Sequence, residues 1–157
     1  MNYKILLLIL LLPSSVIAFS GNYYSLTVPE GWTFSEKMYG TDAIVHEKVI
    51  HNRNPNSILF FTYKKDLSKI DIFEFLTKDN KNFGKKYTDF KVLDKMNLKQ
   101  NIKCTYNEYL NPMKYSLLTC IKLNKSQYHY ILFQSKQVEF KKHKKTILKT
   151  IESISVR

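Results

Sequence analysis

The chain has 157 residues, 25 Lys and Arg against 13 Asp and Glu, and a net charge of +12, with 11 Tyr, 10 Phe and only 4 Gly. Such a length suits one domain with a core of its own, and the aromatic content excludes a disordered tail. The excess of lysine points toward anionic partners and away from basic ones.

Lys4 precedes an apolar run over residues 5–12, which Pro13 ends. A membrane-spanning helix needs about 20 apolar residues, so this run reads as the core of a cleavable signal peptide. Val16 and Ala18 fill the −3 and −1 positions, so the cut is expected after Ala18, with Ser20 as the second choice. No cysteine follows the cut, and no lipid anchor is expected there. The reading divides the chain into a signal peptide, 1–18, and a single domain, 19–157, delivered to the periplasm or beyond. Since Lys4 is the only charge removed, 139 of the 157 residues would carry +11 of the +12.

Tyr24, Leu26 and Val28 alternate with smaller or polar residues, predicting a strand that stops at Pro29-Glu30-Gly31-Trp32. Residues 43–49 and 57–63 read as the next two strands, joined by the turn-rich segment 51–56. Ile58 to Phe61 are apolar on both faces, so the sheet should be covered on both sides. Ser68 is expected to cap a helix, with Asp71 bonding back to it and Ile72, Phe73, Leu76 and Phe83 along one side. Gly84 stands where a left-handed terminator is useful.

Four strands should follow, at about 90–98, 102–110, 115–123 and 127–134, as an antiparallel meander with short connections. If Leu110 faces Lys114 around the turn Asn111-Pro112-Met113, then Tyr109 faces Tyr115, Tyr106 faces Leu118, and Cys104 faces Cys120. These are the only two cysteines. In an oxidising compartment directly opposed cysteines on antiparallel strands predict a disulfide. Tyr106, Tyr109, Tyr115, Tyr128 and Tyr130 read as cross-strand packing pairs in preference to an aromatic binding surface.

A closing helix is expected over 137–153. Phe140, Ile147, Leu148 and Ile151 share one face at 100° per residue, and Lys141, Lys142, Lys145 and Lys149 share the other. Lys144 points toward the apolar side. Arg53, Lys64, Lys65, Lys85 and Lys86 add to the excess elsewhere.

The opening Tyr24-Ser25-Leu26-Thr27-Val28-Pro29-Glu30-Gly31-Trp32 resembles that of the Mog1/PsbP fold, whose first strand often runs into a P-x-G-W turn. The resemblance extends in topology over nearly all of 19–157. It implies an α+β fold, an antiparallel sheet of about six or seven strands with helices on both faces. It also implies a non-catalytic protein that docks to another macromolecule. No binding residue carries over, because no second motif matches, and the cysteine pair is not a feature of that family.

Catalytic patterns are not found. His46 and His51, with Glu47 between them, lack the helical spacing of a zinc protease and read as a sheet-face and a turn histidine. His129 falls inside a strand, and His143, in the lysine run, reads as solvated. Ser25, Ser57 and Ser126 have no glycine-framed elbow, and Gly21, Gly31, Gly40 and Gly84 are too scattered to cradle a phosphate. Asp66, Asp71 and Glu74 cluster at a helix start, where the helix dipole accounts for them. No catalytic residue, metal or cofactor is assigned.

The expected function is an exported, non-catalytic binding module that docks to an anionic envelope surface or macromolecule through Lys141, Lys142, Lys145 and Lys149. A lysine face that is simply solvated is the plain alternative. An immunity- or inhibitor-type protein that plugs one secreted protein shares the same size, export and disulfide. A hydrolase with an unrecognised site would instead need a deep cleft with paired carboxylates or histidines. Nucleic acid is not expected for an exported protein, and a monomer is.

Overall fold

A computed structural model describes residues 17–20, 24–38, 40–46, 57–83, 89–110, 114–124 and 127–156. Strands β1 (Ile17–Ser20), β2 (Tyr24–Val28), β3 (Trp32–Met38), β4 (Thr41–His46) and β5 (Ser57–Tyr63) come first, then helix α1 (Ile72–Phe83). Strands β6 (Lys91–Leu98), β7 (Ile102–Tyr109), β8 (Tyr115–Asn124) and β9 (Gln127–Lys136) follow, then α2 (Gln137–Glu152) and β10 (Ser155–Val156). A seven-stranded antiparallel sheet runs β3-β4-β5-β9-β8-β7-β6, and a small sheet runs β1-β2-β10.

That order has a simple cause. After β5 the chain crosses to the far edge through α1, and the meander β6 to β9 then returns strand by strand until β9 pairs with β5, Phe60 opposite Ile131. Along β7, Ile102, Cys104 and Tyr106 point to one face while Thr105, Asn107 and Tyr109 point to the other. Tyr106 stacks on Phe140 of α2 at 4.7 Å, whereas Thr105 is bonded by Asn80 of α1. The two helices therefore lie on opposite faces of the sheet. This is the expected α+β sandwich.

The main core lies between α2, β2 and the sheet, where Phe140, Ile147 and Ile151 are fully buried against Leu118, Ile131 and Phe133. Truncating one such side chain to alanine costs roughly 2–5 kcal/mol. A smaller cluster under α1 joins Leu67, Ile72, Leu76, Ile121 and Tyr128.

The four meander strands agree with expectation, and so does their register: Tyr109 faces Tyr115, Tyr106 faces Leu118 and Cys104 faces Cys120. A disulfide joins the two cysteines, both fully buried. Other expectations need correction. The helix cap is Asp71 and not Ser68: its carboxylate accepts the N–H groups of Phe73 at 2.8 Å and Glu74 at 3.0 Å. Ser68 instead donates its own N–H to Asp66, closing a local turn before the helix. The strand expected over 43–49 is observed as Thr41–His46, and 47–49 lie outside the described residues, as do Gly84 and the turn 111–113.

Strands β1, β3 and β10 were not expected. In β3, Trp32 and Phe34 turn inward while Thr33 is exposed, an alternation present in the sequence that ends before the exposed Glu36, where the register shifts between Ser35 and Met38. The Pro29–Trp32 turn merely reverses the chain between β2 and β3, with Trp32 N–H bonded to the Pro29 carbonyl at 3.1 Å and Gly31 at φ 74°. β1 spans the expected cleavage point. Phe19, the residue that follows it, stacks on Phe34 with ring centroids 3.4 Å apart. β10 is two residues long and gains its identity only by pairing with β2.

Candidate docking surface

Helix α2 begins without a side-chain cap. Its first N–H, from Gln137, bonds the Lys114 carbonyl at 3.2 Å, and the Gln137 side chain donates to Glu108 Oε1 at 2.7 Å. Glu108 also accepts the Tyr106 hydroxyl at 2.6 Å. Burial pulls this carboxyl upward. The hydrogen bonds from Tyr106 and Gln137 and the charges of Lys141 and Lys114 outweigh it, holding Glu108 below the usual carboxylate range. Tyr106 is pushed up to about 12, first by burial and then by Glu108. A carboxylate kept ionised beside the helix start complements its dipole.

At the other end Ser153 fixes the helix to the small sheet. Its hydroxyl donates to the Thr150 carbonyl at 2.7 Å and accepts the Thr27 N–H at 2.9 Å. Lys122 reinforces this end: its side chain, buried in the sheet, donates to the Ile154 carbonyl and to Gln100. The rotation of α2 about its axis is thus set at both ends.

With that rotation Phe140, His143, Ile147, Thr150 and Ile151 are buried, and Lys141, Lys142, Lys145 and Lys149 are exposed. The structure brings the four expected lysines together on one outward face. At 3.6 residues per turn they fall within a sector of roughly 100°, and Lys141 to Lys149 spans roughly 12 Å. Lys144 leaves this stripe, as expected, and its ammonium sits over the Tyr106 ring at 4.9 Å. Glu139 does not neutralise the stripe either, because it turns back to His143 at 3.5 Å.

His143 corrects the reading of a solvated side chain: it is 9% exposed. Its ring meets the edge of Trp32 at 5.6 Å and lies 4.8 Å from the ring of His46, which also packs on Trp32 at 5.1 Å. His46 was read as a sheet-face residue and is one. Its structural companion is His143, while His51 lies outside the described residues. Burial, then the neighbouring His46, hold the His143 imidazole below its ordinary pKa, against the pull of Glu139. His129 is buried as well, with Nδ1 bonded to the Thr62 hydroxyl at 3.0 Å. Among the described residues no group of three or more His, Cys, Asp or Glu is arranged to hold a metal ion.

Under α1 lies a polar cluster that sequence reasoning missed. Asn80 donates to Thr105 at 2.9 Å and Thr119 at 2.8 Å, these two hydroxyls are 2.9 Å apart, and Tyr109 donates to the Asn80 carbonyl at 2.9 Å. It contains no group that titrates near neutral pH. The open groove beside α1 is lined by Asp71, Glu74, Thr77, Lys78, Lys81 and Lys95. Asp71 there is committed to capping, and the bonds it accepts hold it below the usual carboxylate range. The five tyrosines read as packing residues divide between the faces, with Tyr106 against α2 and Tyr128 and Tyr130 against the α1 cluster.

The class of protein these features define is an α+β sandwich with the Mog1/PsbP fold and one lysine-rich helical face. Among solved structures, the chain is similar to cyanobacterial PsbP (CyanoP) from Synechocystis, with a TM-score of 0.62 at 12% identity over 90% of this chain and 92% of that one. It is equally similar to LpqN of Mycobacterium tuberculosis, a protein involved in cell envelope biogenesis, with a TM-score of 0.62 at 13% identity over 92% and 86% of the two chains. At such identities the likeness establishes the fold. No protein-family model matches the chain, and no curated protein matches it in sequence.

Proposed function

We propose that this protein is an exported, non-catalytic binding module that docks through the outward face of α2 to an anionic component of the cell envelope. The observation that carries the reading is the set of Lys141, Lys142, Lys145 and Lys149, all exposed along one side of a helix whose rotation is fixed at both ends. Such a linear array of ammonium groups concentrates positive potential where a polyanion or anionic surface can meet it. Export is supported by the leader-like segment 1–18 and by the buried disulfide, a bond that persists in oxidising compartments. An envelope role also accords with that of LpqN, which has the same fold.

Salt titration of binding to an envelope extract provides the test. Retention should fall steeply between low and high ionic strength, because exposed charges are screened beyond roughly 10 Å at 0.1 M salt. Reversal of Lys141, Lys142 and Lys145 to Glu should abolish it. Retention that ignores both salt and charge reversal would refute the proposal.

A further inference from the structure

Five large apolar side chains are exposed among the described residues: Tyr63, Ile70, Leu93, Leu123 and Val138. Val138 stands apart at 76% exposure, against at most 49% for the others. It sits in the first turn of α2, three, four, seven and eleven residues ahead of Lys141, Lys142, Lys145 and Lys149, and so heads the lysine stripe on the same outward sector. The only acid between Val138 and Lys149 is Glu139, which is turned toward His143; Glu152 closes the stripe at the far end.

We propose that the anionic partner is the phospholipid headgroup region of a membrane leaflet, with Val138 entering that region ahead of the four lysines. This rests on the docking reading above. Three features favour a leaflet over a soluble polyanion or an acidic protein. A leaflet offers an apolar boundary just beneath its phosphates, so it accommodates Val138 and the lysines together, whereas a polyanion leaves Val138 in water. The cations of the stripe are all lysines and none is an arginine, compact charges on flexible stems, suited to a diffuse field of phosphates and not to bidentate recognition. It also lies along the outer side of a helix packed on a sheet, a ridge that a flat surface can meet along its length. The apolar face of α2 is already occupied by the core, so the helix does not roll into the bilayer and the contact stays peripheral and reversible.

Sedimentation with large unilamellar vesicles tests this, using protein purified after export. Vesicles of phosphatidylcholine are compared with vesicles containing phosphatidylglycerol, and heparin serves as the soluble polyanion. Binding is expected to phosphatidylglycerol vesicles and not to phosphatidylcholine alone. Each Lys→Gln change at Lys141, Lys142, Lys145 or Lys149 should weaken vesicle binding about fivefold. Val138→Ser should weaken vesicle binding by about fivefold while leaving heparin retention and the melting temperature unchanged. Val138→Trp should strengthen it and add blue-shifted emission when vesicles are present.

Retention on heparin without vesicle binding overturns the lipid inference and leaves the docking reading standing. Binding to neither overturns both. Vesicle binding that depends on the lysines but ignores Val138 overturns the inserted contact, and equal binding to phosphatidylcholine overturns the role of lipid charge.

Discussion

The imidazole rings of His46 and His143 lie 4.8 Å apart, each meeting the Trp32 indole edge-on. One ring comes from a strand and the other from the closing helix, so the pair joins α2 to the sheet edge directly beneath the lysine stripe. His143 is held below its ordinary pKa by burial and by His46, and Lys142 adds to the effect against the opposing pull of Glu139. His129 is lowered too, by burial first and then by Lys122.

A pH dependence of stability follows, and its sign is definite. Both imidazoles take up protons more readily in the unfolded chain, so as pH falls below about 6.5 the unfolded state binds more protons than the folded one. Stability fully present above that value should be lost as pH drops through it. The melting temperature should therefore be lower at about pH 5 than at about pH 7.5, and His143→Gln should shrink the difference. A gap of the same size in the His129→Gln, His143→Gln double variant would rule out these imidazoles as its source.

Removal of the disulfide should be costly. The Cys104→Ala, Cys120→Ala double variant is expected to lose about 3 kcal/mol, the loop-entropy value for a ring of this length. Urea unfolding of both proteins measures it, and alkylation of native protein should label neither cysteine. An unchanged midpoint, or two alkylated thiols, would contradict the bridge.

Gly31 tests the turn between β2 and β3. A Cβ built there meets no atom within 4 Å, so the cost of Gly31→Ala comes from the positive φ alone. It should be about 1 kcal/mol. A much larger loss would mean that the turn also serves the packing of Trp32.

The polar cluster under α1 should show strong coupling. Thr119→Val deprives Asn80 of an acceptor in a buried site and should cost about 1–3 kcal/mol. Thr105→Val should cost as much, while the two together should cost less than their sum, since the residues share one network. Additive losses in a double-mutant cycle would show that the hydroxyls act independently.

Phe19 provides a test of the expected cleavage after Ala18. Cleavage after Ala18 keeps the ring that stacks on Phe34, whereas cleavage after Ser20 removes it. Intact-mass measurement of exported protein should find Phe19 at the amino terminus. Phe19→Ala should lower stability by about 1–2 kcal/mol, less than for a fully buried ring.

The meander was readable residue by residue. Pairing Leu110 with Lys114 around the turn left one register for 102–110 and 115–123, which placed Cys104 opposite Cys120 and Tyr109 opposite Tyr115, and a slip of one residue would have turned every side chain to the wrong face. The lysine face was readable for a similar reason, because a 3.6-residue period in the closing helix sorts apolar from cationic positions without reference to any other element. Asp71 was misjudged as a partner to a Ser68 cap because Ser and Asp both satisfy helix starts. Only the observed bonds to Phe73 and Glu74 distinguish them.

Local periodicity and composition thus determined both helices, most of the strands of the large sheet, the cysteine register and the side of α2 that faces outward. Each depends on residues near one another along the chain or joined by one short turn. Tertiary structure alone decided that His143 is buried against His46 and Trp32, that Asn80 bridges Thr105 and Thr119, and that Ser155 and Val156 become a strand. In each case the partners come from distant segments, and which pair meets depends on how two packed layers are rotated against each other. That rotation minimises exposed apolar area summed over the whole core, a quantity that no short stretch of sequence contains.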